Sequence, residues 1–169
     1  YGNGTNNTAF DDPTNMLFQR CRFTKFFTTE AGLNSSSTTF DECIFSEELN
    51  SAASGTTVVL LSNCLFLNGS GPNTVADGGL TVQNTVFLGT GSLQFGNNSS
   101  ALYQNCIFQV PITVGNLNAV YQHCMFVDGA LPAQSTGSNN LFSQTAGTIF
   151  VNETNNVLED TDDLRLAAS

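Results

Sequence analysis

The densest group of acidic side chains in the body of the sequence lies at Asp41, Glu42, Glu47 and Glu48. Glycoside hydrolysis uses two carboxylates about 5–10 Å apart, one as acid and one as base or nucleophile. Asp41, Glu42 and Glu47 are therefore candidate catalytic residues of a polysaccharide-active site that includes the segment 46–56. The alternative is a solvated acidic patch without catalytic use.

His123 is the only histidine of the chain, and Cys124 follows it directly. Nucleophilic catalysis needs a nucleophile and a base within hydrogen-bonding reach of each other. Adjacent residues of a strand point to opposite faces, so this pair is a weak candidate. We expect no catalytic role for His123.

A second acidic run, at 159–163, contains Asp160, Asp162 and Asp163, which are weak candidates for Ca²⁺ ligands. The run lacks the glycine and the terminal glutamate of an EF-hand loop. A solvated loop is the default interpretation, with a Ca²⁺ site as the alternative. No other cofactor is indicated.

The five cysteines do not have the paired spacing of a zinc site, which brings ligands together from motifs such as C-x-x-C. Each occupies the same place in a repeated hexapeptide. We predict a column of buried, reduced thiols in which cysteine acts as a small hydrophobic residue.

The hexapeptide recurs at a nearly constant interval, and its Cys/Thr position falls at 21, 43, 64, 85, 106 and 124. The six copies are Phe-Gln-Arg-Cys-Arg-Phe (18–23), Phe-Asp-Glu-Cys-Ile-Phe (40–45), Leu-Ser-Asn-Cys-Leu-Phe (61–66), Val-Gln-Asn-Thr-Val-Phe (82–87), Tyr-Gln-Asn-Cys-Ile-Phe (103–108) and Tyr-Gln-His-Cys-Met-Phe (121–126). A fixed period near 21 residues indicates stacked repeats. No stretch has the sustained apolar spacing of a helix.

Alternation within the hexapeptide works only if its third position bends the strand. Asn63, Asn84 and Asn105 occupy that position, and asparagine tolerates a left-handed backbone well. The predicted order is apolar inward, polar outward, bend, cysteine inward, any residue outward and phenylalanine inward. The outward polar column then contains one acid, Asp41.

These features predict an all-β fold, a single-stranded right-handed parallel β-helix (β-solenoid) of about seven coils of roughly 21 residues. Residues 1–16 form a lead-in, 17–151 the coils, and 152–169 a tail that packs on or extends the last coil. The segments 30–39, 46–56 and 67–79 are predicted to be projecting loops.

The Asn-Cys-x-Phe coil resembles the strand-bend-strand unit of right-handed parallel β-helix proteins of the pectin-lyase-like superfamily. Thr148-Ile-Phe-Val-Asn, followed by Asp162-Asp-Leu-Arg-Leu, is similar to the end of secreted or surface bacterial members. The resemblance implies that Arg165 and Asp163 are structural residues of the tail. A lyase of this kind would need a carboxylate-bound Ca²⁺ and a basic residue, for which Arg22 and Lys25 are the candidates.

Fourteen acidic residues against four basic ones give a net charge of −10, which disfavours nucleic acid and anionic membrane surfaces. No apolar run approaches the ~18 residues of a membrane-spanning segment. The chain begins without Met or a leader, so we interpret it as a mature or excised piece. Low charge and abundant Asn, Thr and Ser favour an extracellular or cell-surface location.

We expect a structural or adhesive β-helix module of a cell-surface or filamentous assembly, contacting other copies or neighbouring β-helix modules through open coil ends. Polysaccharide is the other expected partner. The alternatives are a polysaccharide-active lyase or hydrolase and a phage tailspike-like protein, because this fold carries many functions.

Overall fold

The computed structural model describes residues 15–25, 27–31, 37–47, 49–53, 58–68, 71–76, 79–89, 93–94, 100–109, 112–114, 119–127, 136–144, 150–151 and 163–166. Every regular element in these ranges is a β-strand, which confirms the all-β class. Over the same ranges there is no helix that could span a membrane.

Two parallel sheets of seven strands each form the body of the solenoid. The first sheet contains β1 (Met16–Gln19), β4 (Ser37–Asp41), β7 (Val58–Ser62), β10 (Gly79–Gln83), β13 (Ser100–Gln104), β16 (Ala119–Gln122) and β18 (Thr136–Ser138). The second sheet contains β2 (Arg22–Phe23), β5 (Ile44–Phe45), β8 (Leu65–Phe66), β11 (Val86–Phe87), β14 (Ile107–Phe108), β17 (Met125–Val127) and β19 (Leu141–Gln144). A coil is counted here as one strand of the first sheet plus the next strand of the second.

A third face is built from strands that the sequence analysis assigned to loops. β3 (Phe27–Ala31), β6 (Leu49–Ala53) and β9 (Pro72–Ala76) pair in parallel in a three-stranded sheet. The prediction of projecting loops at 30–39, 46–56 and 67–79 was therefore wrong for these strands. Their Thr, Asn, Ser and Ala residues give no hydrophobic alternation, and parallel pairing with the adjacent coils is what makes them strands.

The number of complete coils also needs correction. The third face continues only as a separate pair, β12 (Leu93–Gln94) with β15 (Ile112–Val114), so the uniform three-sided section spans about three coils rather than seven. The repeat also shortens, because the steps from Cys106 to Cys124 and on to Asn140 are 18 and 16 residues. A shorter coil leaves less chain for a third strand.

The bend between the first and second sheets is confirmed at the third position of every copy. Positive φ values of 50–55° occur at Arg20, Glu42, Asn63, Asn84, Asn105, His123 and Asn139. At each bend the backbone changes its hydrogen-bonding partner: Asn63 N donates to Gln83 O of the next coil, and Leu65 N donates to Cys43 O of the preceding one. The left-handed residue thus connects two sheets without interrupting the stack.

Stacked aromatic rings fill the interior, as the repeat predicts. The phenylalanines that end each hexapeptide lie in one column, and consecutive ring centroids are 4.6–5.3 Å apart. Tyr103 and Tyr121 stack in a second column, with centroids 4.9 Å apart. Six of these phenylalanine and tyrosine side chains are less than 2% exposed, and burial of so much apolar area is the main stabilising contribution.

Beyond the coils, β20 (Phe150–Val151) pairs with β21 (Asp163–Leu166) in the antiparallel sense. This pair differs from the parallel arrangement of the stack, so the two tail strands do not simply continue it.

Candidate functional site

The candidate acids lie on the first two coils, where they meet side chains of the adjacent coils. Parallel strands without register shift place residue i of one coil beside residue i+22 of the next, so β1 pairs Gln19 with Asp41. We call Arg20, Lys25, Asp41, Glu42 and Glu47 the charged cluster. Its geometry follows from this register.

Asp41 accepts hydrogen bonds from two amide side chains on opposite sides. Asn63 Nδ2 donates to Asp41 Oδ1 over 2.9 Å, and Gln19 Nε2 donates to Oδ2 over 3.0 Å. These two bonds, with Asn63 contributing most, lower the pKa of Asp41 below its ordinary value because they stabilise the carboxylate. A general acid needs the opposite shift, so this environment does not suit Asp41 for proton donation.

Glu42 occupies a bend and forms an ion pair with Arg20 at the bend of the preceding coil. Arg20 Nε donates to Glu42 Oε2 over 2.6 Å. This hydrogen bond and the charge of Glu42 raise the pKa of Arg20, and both side chains remain exposed to solvent. The arrangement neutralises two charges that would otherwise stand alone at left-handed positions.

Glu47 makes the third inter-coil contact of the charged cluster, with Lys25 Nζ 3.5 Å from Glu47 Oε1. Each of the three predicted catalytic acids therefore contacts a residue of the preceding coil. The structure does place them on one part of the surface. It gives each a separate partner rather than a shared reaction centre.

Two rows of amide side chains continue from this cluster along the solenoid. In the bend row, Asn84 Nδ2 donates to Asn63 Oδ1 and Asn105 Nδ2 to Asn84 Oδ1, each over 3.3 Å. In the outward row of the first sheet, Gln83 donates to Gln104 over 2.8 Å and Gln104 to Gln122 over 2.9 Å. The asparagine row donates toward the first coil and the glutamine row toward the last.

The cysteine column is buried and reduced, which confirms the expectation of free thiols pointing inward. Cys43, Cys64, Cys106 and Cys124 are buried, whereas Cys21 in the first coil is half-buried. Burial raises the pKa of Cys43, raises that of Cys64 to about 12, and raises that of Cys106 strongly. Such thiols are poor nucleophiles, because the thiolate is the reactive form.

The column has a polar role that the sequence analysis missed. Cys64 Sγ lies 3.2 Å from Ser62 O and 3.5 Å from Phe40 O, and the other buried cysteines repeat this geometry. Thr85 Oγ1 donates to Gln83 O and accepts from Cys64 N at 3.3 Å. The position therefore requires a small side chain that can hydrogen bond, rather than merely a small apolar one.

A seventh copy of the repeat was also missed. Asn140 occupies the cysteine position, accepting from Cys124 N at 2.8 Å and donating to Tyr121 O at 3.0 Å. Asn139 at the bend and Phe142 stacked on Phe126 complete the copy. The sequence Ser-Asn-Asn-Leu-Phe carried the signal, but asparagine replaces cysteine and the spacing is short.

His123 lies at an exposed bend, and Asn139 Nδ2 is 3.1 Å from its Nε2. Cys124 points inward, so the two side chains do not form a nucleophile–base pair. His123 instead takes the bend position that asparagine holds in the coils before and after it.

The calcium candidates Asp160 and Asp162 lie outside the described residues, as do Asp163's side-chain contacts. Within the described ranges, no group of three or more His, Cys, Asp or Glu side chains is arranged to hold a metal ion. The Ca²⁺ hypothesis therefore stays a prediction.

Comparisons with protein-family models, curated proteins and solved structures found no match for this chain. The parallel β-solenoid is thus established by the coordinates, while membership of the pectin-lyase-like superfamily and the right-handed sense stay predictions.

Proposed function

We propose that this chain is a non-enzymatic, extracellular structural module, a rigid β-helical section of a cell-surface or filamentous assembly. One observation carries the proposal: the polar side chains that could perform chemistry instead hold one coil to the next. Asp41, Glu42 and Glu47 each contact a residue of the preceding coil. Side chains committed to inter-coil contacts are typical of a scaffold.

The interior supports the same role. Stacked rings and buried thiols give a stiff, dry core along the solenoid axis, and no described residue pairs a nucleophile with a base. A rod of this kind transmits force and presents evenly spaced side chains, as adhesive and filamentous modules require. Contacts with other copies through the coil ends, and with polysaccharide along the outward glutamine row, belong to the same proposal.

The strongest rival is a polysaccharide-active enzyme that uses the charged cluster. Both readings are separated by incubating the protein with a panel of neutral and acidic polysaccharides, with and without Ca²⁺. Absorbance at 235 nm detects lyase products, and a reducing-sugar assay detects hydrolysis. We expect neither signal. Turnover that disappears in the double variant Asp41→Asn/Glu42→Gln would overturn the structural proposal.

The assembly state is the second test. Light scattering and electron microscopy of the isolated chain distinguish a monomer, an end-to-end filament and a trimer. A stable trimer would favour the tailspike alternative, whereas filaments or a concentration-dependent series of oligomers would support the assembly module. Calcium titration followed by thermal unfolding addresses the acidic run at 159–163, since a bound ion stabilises the folded state.

A further inference from the structure

The outer surface of the second sheet carries an uninterrupted aliphatic stripe. Its members are the residues between the cysteine and phenylalanine positions of coils two to seven: Ile44, Leu65, Val86, Ile107, Met125 and Leu141. They are in register from strand to strand, and each precedes an inward phenylalanine. The sequence analysis assigned this position to any residue, and the only polar occupant is Arg22 in the first coil.

The stripe is unusual for a solvated face. Outward positions of a sheet that faces water are normally polar. Five stripe residues are half-buried by their neighbours, and Leu141 is 54% exposed. Val127 packs beside Val86, Ile107 and Met125 and widens the apolar surface. A continuous exposed patch of this kind marks an interaction site.

The charge around the stripe also sets it apart from the rest of the chain. The protein has a net charge of −10, yet from the third coil onward the described residues flanking the stripe include no carboxylate. On one side lie the exposed amides of Asn63, Asn84, Asn105 and Asn139. Two copies could therefore approach here without the repulsion that their other surfaces would produce.

We propose that this stripe is the lateral contact between two copies of the chain, packed side by side. Successive side chains of the stripe are one coil apart, about 4.8 Å, and the ridges and gaps of a second copy have the same pitch. A surface of matching period is what a second copy supplies. This contact is distinct from end-to-end stacking and does not depend on the proposed structural role.

Charge selects the antiparallel arrangement of the two copies. The parallel arrangement would place Arg22 of one copy beside Arg22 of the other, since Arg22 ends the stripe and is exposed. The antiparallel arrangement separates the two charged clusters and brings uncharged coils together. Its two-fold axis then passes between Val86 and Ile107, the central residues of the stripe.

The size of the contact predicts its strength. Five coil steps span about 24 Å, and a width of five residues is about 16 Å, so each copy offers roughly 400 Å² in projection. A standard interface buries about 800 Å² per partner. We therefore expect reversible association with a dissociation constant in the micromolar range or weaker, which repetition along an assembly would reinforce.

Analytical ultracentrifugation of the whole chain over a range of concentrations tests the contact. We expect a reversible monomer–dimer equilibrium that Ile107→Glu weakens at least tenfold. The matched control is Leu102→Glu, a half-buried outward residue of the first sheet in the same coil, which should leave the equilibrium unchanged. A monomeric mass at millimolar concentration, or a loss of association in the Leu102→Glu variant alone, would overturn the proposal.

Cross-linking with a short bismaleimide tests the geometry even if Ile107→Glu fails to fold. In a Cys21→Ser background, Val86→Cys should give a covalent dimer because the two introduced thiols lie about one coil apart along the axis. Ile44→Cys should not, because its counterparts are about five coils, or 24 Å, apart. Equal cross-linking at both positions, or none at Val86→Cys, would contradict the antiparallel contact. End-to-end stacking would leave both positions uncross-linked.

Discussion

At the residue scale, the buried thiols combine hydrogen bonding with exclusion from water. Each buried Sγ lies within 3.5 Å of a backbone carbonyl on its own coil and of another on the preceding coil. Threonine at 85 and asparagine at 140 fulfil the same requirement with oxygen. The column therefore satisfies backbone groups that the bend removes from the ladders, a need that pure hydrocarbon would leave unmet.

This burial predicts a steep order of thiol reactivity. Half-buried Cys21 should react with a water-soluble disulfide reagent at pH 8 well before the others. With a pKa of about 12, only about one Cys64 thiol in ten thousand is ionised at that pH. Mass spectrometry of the labelled peptides measures the order. Fast labelling of Cys64 in the native protein would contradict the inward column, and labelling in urea provides the control.

The same thiols predict a loss of stability in alkali. The folded pKa of Cys64, about 12, lies above the ordinary value of 9.0, so burial favours the protonated form. The resulting stability is fully present below pH 9 and declines as the pH rises toward 12, by about 1.4 kcal/mol per pH unit for each such thiol. Urea unfolding at pH 8, 9.5 and 10.5 measures the slope.

Cys64→Ala is the matched control for the alkaline effect. Removing one buried thiol should make the decline shallower, although the variant starts from a lower stability because of the cavity and the lost hydrogen bonds. Equal stability of the parent protein at pH 8 and pH 10.5 would show that the thiols do not titrate against burial.

At the element scale, the bend joins the two main sheets and aligns the asparagine row. Asn84 has a φ of 50° and bonds to Asn63 and Asn105 through its side chain. An L-residue pays about 1–2 kcal/mol to adopt this conformation unless, like asparagine or glycine, it tolerates it well. Backbone conformation and side-chain bonding thus both favour asparagine at this position.

Two substitutions separate those contributions. Asn84→Ala should lower the free energy of unfolding by about 1–3 kcal/mol, because it removes the row contacts and places a Cβ in a left-handed residue. Asn84→Gly removes the same contacts without that steric penalty and should be less destabilising. Chemical denaturation of both variants provides the comparison. A larger loss for glycine than for alanine would argue against strain at the bend.

The alternation of the short strands of the second sheet gives a second prediction at this scale. Phe87 is fully buried between Phe66 and Phe108, with centroids 5.0 and 4.8 Å away, whereas its neighbour Val86 points outward. Phe87→Ala should cost roughly 3–5 kcal/mol of stability and Val86→Ala less than about 1 kcal/mol. Similar losses at the two positions, measured by thermal unfolding at low protein concentration, would mean that the strand is not oriented as described.

At the scale of the whole molecule, stability is distributed along one axis. Each coil contacts only the coils before and after it, so the energy is approximately a sum of coil and interface contributions. Such a stack tolerates the loss of a unit if the remaining units keep their register.

Deleting residues 85–105 tests this additivity, because it joins Asn84 directly to Cys106 and restores the hexapeptide. The shortened chain should retain a β-type circular dichroism spectrum and cooperative unfolding, with reduced stability. Deleting residues 85–95 removes half a coil and should abolish cooperative folding, since inward and outward columns no longer meet. Equal tolerance of both deletions would contradict a stack in register.

The sequence by itself determined the repeated unit, its inward cysteine and phenylalanine columns and the position of the bend. These features depend on local alternation and on the backbone tolerance of asparagine, and both are visible within six residues. The free state of the thiols followed as well, because one position per repeat places the cysteines in a single column.

Only the tertiary structure decided which acids have partners, which loops are strands and how many coils are three-sided. Arg20 and Glu42, or Asn63 and Asp41, are 22 residues apart in the chain and become neighbours through the register of stacked coils. The third face has no hydrophobic alternation of its own, so its strands exist because adjacent coils supply hydrogen-bonding partners. Contacts of that range depend on coil length, which local pattern alone does not fix.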